Sequence, residues 1–98
     1  MTITSEKNNN TLTLSLDGRL DTNTAPQLET AIAAMDGDVT SLVLDFSALS
    51  YISSAGLRVL LSAHKIMGAR GGMRIHNVCQ SVMDVFEITG FSDILTIE

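Results

Sequence analysis

The chain has one cysteine, Cys79, so no internal disulfide can form, as in a protein kept in a reducing compartment. Tryptophan is absent, and no apolar run approaches the roughly 18–20 residues needed to span a bilayer. The first ten residues, Met1 to Asn10, have neither a basic start nor the apolar stretch of a signal peptide. The expectation is a soluble, cytoplasmic protein with no direct membrane insertion. Positive charge is scarce too: six Lys and Arg stand against eleven Asp and Glu, for a net charge of −5. The six are scattered and form no basic stripe, which disfavours a nucleic-acid partner, whose phosphates need clustered cations. Internal repeats, linkers and low-complexity tracts are missing, apart from Asn8-Asn9-Asn10.

What is present is an ordinary globular composition, 45% hydrophobic and 17% charged, over 98 residues. That length implies one domain, residues 1–98. It buries roughly 60–65% of its unfolded surface, enough to fold without metal or disulfide. Thr2 to Lys7 alternates weakly and predicts an edge strand, followed by an asparagine turn. Leu12, Leu14 and Leu16 alternate with polar residues and predict a half-buried strand, antiparallel to the first.

Residues Gly18 to Asn23 form a predicted loop, and Thr24 to Gln27 fits a capping box opening a helix, with Pro26 tolerated in the first turn. Leu28, Ile32 and Met35 share its apolar face, and Asp36-Gly37-Asp38 ends it. The run Leu42, Val43, Leu44 and Phe46 predicts a strand buried on both faces. Leu57, Leu60, Leu61, His64 and Met67 then predict a second helix, stopped by Gly68 and Gly71-Gly72. Met73, Ile75 and Val78 suggest a fourth strand, and Val82, Val85 and Phe86 a helix ended by Gly90. Ile94, Leu95 and Ile97 suggest a short closing strand.

The order β-β-α-β-α-β-α-β is that of an α/β fold with a mixed, mostly parallel sheet joined by right-handed crossovers. Sites in such sheets gather where loops leave the carboxyl ends of strands. Here those loops are Gly18 to Asn23 and Ser47 to Gly56. The second carries Ser53 and Ser54 at a strand-to-helix transition, where unpaired N–H donors and the helix dipole accommodate an anion. A phosphoryl group on Ser54 adds about −1.5 to −2 charge, which that dipole favours. Gly56 removes bulk beside it. The same residues also read as a plain serine-capped helix.

Three segments taken together, Gly18-Arg19-Leu20-Asp21, Leu42-Val43-Leu44-Asp45-Phe46 and Tyr51 to Leu57, resemble the STAS family. The soluble bacterial anti-sigma-factor antagonists are the most similar branch. The resemblance extends over nearly the whole chain, including Gly71-Gly72 and Val85-Phe86 through Gly90-Phe91. It implies that Ser54 is the phosphoacceptor, with Ser53 as a rival. Ser53 stands where relatives carry an acidic residue, and Ala55 where they often carry a second hydroxyl. It further implies a partner-switching regulator rather than an enzyme. The unphosphorylated form binds a serine-kinase anti-sigma factor, phosphorylation releases it, and a metal-dependent serine phosphatase resets the serine. The implied partner surface comprises Asp21, Thr22, Asn23, Ser53, Ala55, Gly56 and Arg58, with Asp21 reading equally as a turn or cap residue. The resemblance also admits a STAS subunit of a membrane transporter complex, or the same switch with a non-sigma output.

Other chemistry is thin. His64, His76 and Cys79 match no established metal-ligand spacing and read as an interface histidine, a strand residue and a buried thiol. A Gly-x-Ser-x-Gly elbow is missing, which argues against a serine hydrolase. Gly68 to Gly72 lacks the Gly-Lys-Ser/Thr ending of a phosphate loop and reads as a connecting turn. The five methionines read as core filling. No catalytic residue, cofactor or metal is expected.

Overall fold

A computed structural model describes residues 1–98. Strands β1 (Thr2–Asn8) and β2 (Thr11–Leu20) pair antiparallel. They turn through Asn9, whose φ of 57° is one asparagine tolerates. Helix α1 (Ala25–Ala33), strand β3 (Ser41–Ile52), helix α2 (Ser54–Gly68), strand β4 (Met73–His76) and helix α3 (Gln80–Thr89) follow. The sheet order is β1-β2-β3-β4, with β3 parallel to both neighbours. The α/β class and the alternation of strands and helices are as expected.

Each crossover advances one strand in the same direction, so right-handed connections place the helices on one face. The core agrees. One cluster of 22 buried residues joins Leu14 and Leu16 of β2, Leu44 and Phe46 of β3, Leu28 of α1, Leu60 of α2 and Phe86 of α3. The Phe46 and Phe86 rings lie 6.4 Å apart, within the range of a favourable aromatic pair. Burying each such side chain stabilises the fold by about 1.5–3 kcal/mol. Met67 and Met73 are buried in this core, and Met1, Met35 and Met83 pack against it.

Four expectations need correction. The β3 strand is not buried on both faces: Val43 is buried but lies outside the core cluster, flanked in register by Thr13 and Arg74. With all helices on one side, the other face of the sheet carries no helix and is polar apart from Val43, which its strand neighbours cover. Second, β3 runs past Phe46 to Ile52, because its register with β2 slips twice. Ser15 faces Asp45 but Asp17 faces Ala48, and Gly18 faces Leu49 but Arg19 faces Tyr51. Such bulges re-aim side chains, so Phe46, Leu49 and Ile52 point inward at a spacing of three instead of two. Third, the two expected loops therefore shrink. Gly18 to Leu20 belong to β2 and Ser47 to Ile52 to β3, leaving residues 21–24 and the single Ser53 as connections.

Fourth, the closing strand is a single parallel bridge between Ile75 and Ile97. Gly90, in the left-handed conformation at φ 80°, ends α3, and a 3-10 turn over Phe91–Asp93 drops Leu95 into the core. Only the last residues then reach β4, with Thr96 accepting from the Ile75 N–H at 2.9 Å and Glu98 donating to the Ile75 carbonyl at 2.8 Å. Gly68 to Gly72 is a turn, as expected. At Gly71 the φ is +146° and a Cβ would collide with the Thr40 carbonyl.

Candidate functional site

At the carboxyl ends of β2 and β3 the chain makes two entries into helices, and they are built differently. Asp21 starts the first. Its Oδ1 accepts from the Asn23 N–H at 2.9 Å and the Thr24 N–H at 3.0 Å, and its carbonyl accepts from the Ala25 N–H at 2.8 Å. Thr24 does not cap α1 in the expected way. Its hydroxyl makes no N-cap bond; it accepts from the Asp21 N–H at 2.8 Å and donates to the Arg19 carbonyl at 2.7 Å. Gln27 likewise does not close a capping box, because its side chain reaches the Met1 carbonyl instead. Pro26 in the first turn removes one donor that would need a cap, so Thr24 is free to tie the loop back to β2. Burial pushes the Asp21 carboxyl up, but hydrogen bonds from Thr24 and Asn23 and the nearby Arg19 cation hold it below the usual range. Thr22 and Asn23 are exposed at the tip of this loop.

The second entry is spare. Ser53 is the N-cap of α2, half-buried, with its Oγ accepting from the Gly56 N–H at a long 3.5 Å. Ser54 is the first residue of the helix, exposed, with a hydroxyl that engages no other protein group. Ala55 is half-buried and Arg58 exposed.

Gly56, expected on the partner surface, is instead buried. A Cβ there would lie 2.7 Å from Leu20 Cγ and 2.9 Å from Ile52 Cγ1, so glycine lets α2 seat directly on the ends of β2 and β3. Its role is internal. The remaining expected residues are thus split between two adjacent segments, half-buried or exposed Asp21, Thr22 and Asn23 in one and Ser53, Ala55 and Arg58 in the other.

An open groove of about 440 Å3 runs between α1 and α2, lined among others by Thr22, Pro26, Glu29, Ala55, Arg58 and Ser62. A larger depression, about 560 Å3, lies elsewhere, between β1 and α1. It is lined largely by apolar residues such as Ile3, Leu12 and Met35 and brings together none of the expected site residues. The expected residues therefore gather at the α1–α2 end, away from that depression.

Two residues beside it went unassigned from sequence. The Arg19 guanidinium lies 4.0 Å from the centroid of the Tyr51 ring, and its Nε is 3.9 Å from Asp21 Oδ2. Tyr51 is one of only four large hydrophobic side chains that are exposed. Both residues sit just before the last inward residue of neighbouring strands, and the register after the bulges sets Arg19 opposite Tyr51.

The other sequence candidates lie apart. His76 Nε2 is 2.7 Å from Glu98 Oε1 on the β4 edge, and no group of three or more His, Cys, Asp or Glu is placed to hold a metal. Cys79 is exposed rather than buried, because it caps α3 from outside the core. A hydrogen bond with Ser81 is the main influence holding its thiol below the usual range. No helix is long and apolar enough to cross a membrane.

The chain thus forms a mixed four-stranded sheet with helices on one face and two helix entries side by side at one end. The STAS domain family model matches residues 2–98, and the chain belongs to that family. Among its relatives is BtrV of Bordetella bronchiseptica, named for anti-sigma factor antagonism, 38% identical over 99% of this chain and 85% of that protein. The anti-sigma-B factor antagonist of Bacillus subtilis is 27% identical over 94% of this chain and 85% of its own length. The crystal structure of an anti-sigma factor antagonist from Mycobacterium paratuberculosis superposes with a TM-score of 0.87 at 28% identity, covering 98% of this chain and 83% of that one.

Proposed function

We propose that this chain is an anti-sigma factor antagonist that works by partner switching, with Ser54 as its phosphorylated residue. In this reading the unphosphorylated protein docks the α1–α2 end, through segments 21–23 and 53–58, onto a serine kinase that is also an anti-sigma factor. The kinase transfers the γ-phosphoryl of ATP to Ser54 Oγ; ADP leaves, and the hydroxyl proton goes to a base that the kinase supplies. The complex then dissociates, and a metal-dependent phosphatase hydrolyses the phosphoserine.

The observation that carries the reading is the exposed, unengaged Ser54 hydroxyl at the first position of α2. Ser53, the rival acceptor, is half-buried, and its oxygen faces the Gly56 N–H at a long 3.5 Å. Magnitudes favour a switch by occlusion. Burying a phosphate against a partner surface that offers it no cation costs at least several kcal/mol, as for half of a broken buried ion pair. The helix dipole returns about 0.3–1 kcal/mol. A net loss of about 3 kcal/mol weakens binding roughly 100-fold. Refolding is not required.

The test is affinity purification of the chain's partners from its own host, followed by incubation of the captured kinase with ATP and mapping of the phosphopeptide. A single phosphate on Ser54, absent from Ser54→Ala, is expected. Capture of a transporter ATPase in place of a kinase, or a phosphate mapped to Ser53, would overturn the reading.

A further inference from the structure

Of the six Lys and Arg side chains, four are engaged. Lys7 meets Asp36 and Asp38, Arg19 meets Asp21, and Arg74 meets Glu98, while Arg70 donates to the Val39 and Asp36 carbonyls. The two without a partner, Arg58 and Lys65, are both on α2. Lys65 lies in the last turn, where the helix dipole favours a cation. Arg58 lies near the opposite end, where the dipole offers it nothing. Helix α2 contains no acidic residue, so it supplies no carboxylate three or four positions away. Glu29, across the groove, is the one carboxylate that lines it, and it forms no ion pair with Arg58. Arg58 is thus an exposed cation in the first half of α2, with no acidic residue on its own helix to pair with.

Ser54 and Arg58 are four residues apart on one helix, which places their Cβ atoms about 6 Å apart on the same face. We propose that Arg58 is the built-in counter-ion of the phosphoryl group on Ser54. Its guanidinium matches phosphate oxygens in bidentate geometry, and the intrahelical spacing demands no backbone movement. Phosphorylation then changes the docking end twice. It adds a dianion at Ser54, and it draws Arg58 out of the α1–α2 groove, where an acidic partner side chain would otherwise meet it. The proposal rests on Ser54 being the modified residue, and its test does not need the kinase.

Phosphoserine is installed at position 54 by codon suppression, and the second ionisation of the phosphate is followed by 31P NMR against pH. With the arginine in place the dianion is favoured; in Arg58→Gln the midpoint is expected to rise by about 0.3. Arg58→Lys should restore most of the difference at low salt, and 0.5 M salt should shrink it. Equal midpoints for wild type and Arg58→Gln, with both proteins melting alike, would overturn the counter-ion role. Because the phosphate is placed chemically, that result is separate from any failure of a kinase to modify Ser54.

Discussion

The two helix entries at the site end, one at Asp21–Thr24 and one at Ser53–Ser54, lie side by side yet spend their hydroxyls in opposite ways. Thr24 is tied at both its donor and acceptor, and the Asp21 carboxylate collects two backbone N–H groups. Ser54 is bound to nothing, and Ser53 makes one long bond. Polar side chains of one kind thus act as scaffold in the first segment and remain available in the second.

That contrast can be broken or sharpened by substitution, starting where the helix is seated. Gly56→Val forces a branched side chain against Leu20 and Ile52, both fully or nearly fully buried, and is expected to destabilise the fold by about 3 kcal/mol in urea titration. Thr24→Val removes both bonds of the tied hydroxyl and should cost about 1–2 kcal/mol, with Thr24→Ser restoring most of the melting temperature. Asp21 makes a smaller, pH-dependent contribution. Its carboxyl is held below the usual value in the folded state, so its stabilisation is present above about pH 4 and fades as pH falls through the lowered value. Thermal melts of Asp21→Asn should lose that part of the acid limb and match wild type at the lowest pH.

Ser53→Ala removes a weak cap and should cost about 0.5–1 kcal/mol. Ser54→Ala should lie within about 0.5 kcal/mol of wild type by the same assay, while abolishing phosphate incorporation. Should Ser54→Ala prove as costly as Thr24→Val, the distinction between scaffold and available hydroxyl would be lost.

Much of this was legible from residue order. Alternation over Leu12, Leu14 and Leu16 and the apolar spacing of Leu57, Leu60 and Met67 mark β2 and α2 correctly, because one face of each element is buried and the period shows. The second half of β3 was not legible. Two bulges shift Leu49 and Ile52 inward out of period, and a strand with that spacing reads as a loop. The polar outer face of the sheet was missed for a related reason: Val43, buried among strand neighbours, makes the apolar run look two-sided. At the site, the exposed Ser54 and the proximity of the two loops follow from topology. The internal role of Gly56 and the backbone ties of Thr24 depend on how α2 and α1 land on the sheet, which local pattern does not encode. Arg19 over Tyr51 required the cross-strand register, and that register is set by the bulges.

The close fit at Gly56 has a mechanical consequence. The backbone of α2 lies so near Leu20 and Ile52 that not even a methyl group fits between them. On the proposed reading, a charge added at the helix tip acts at the surface where it sits, by contact alone.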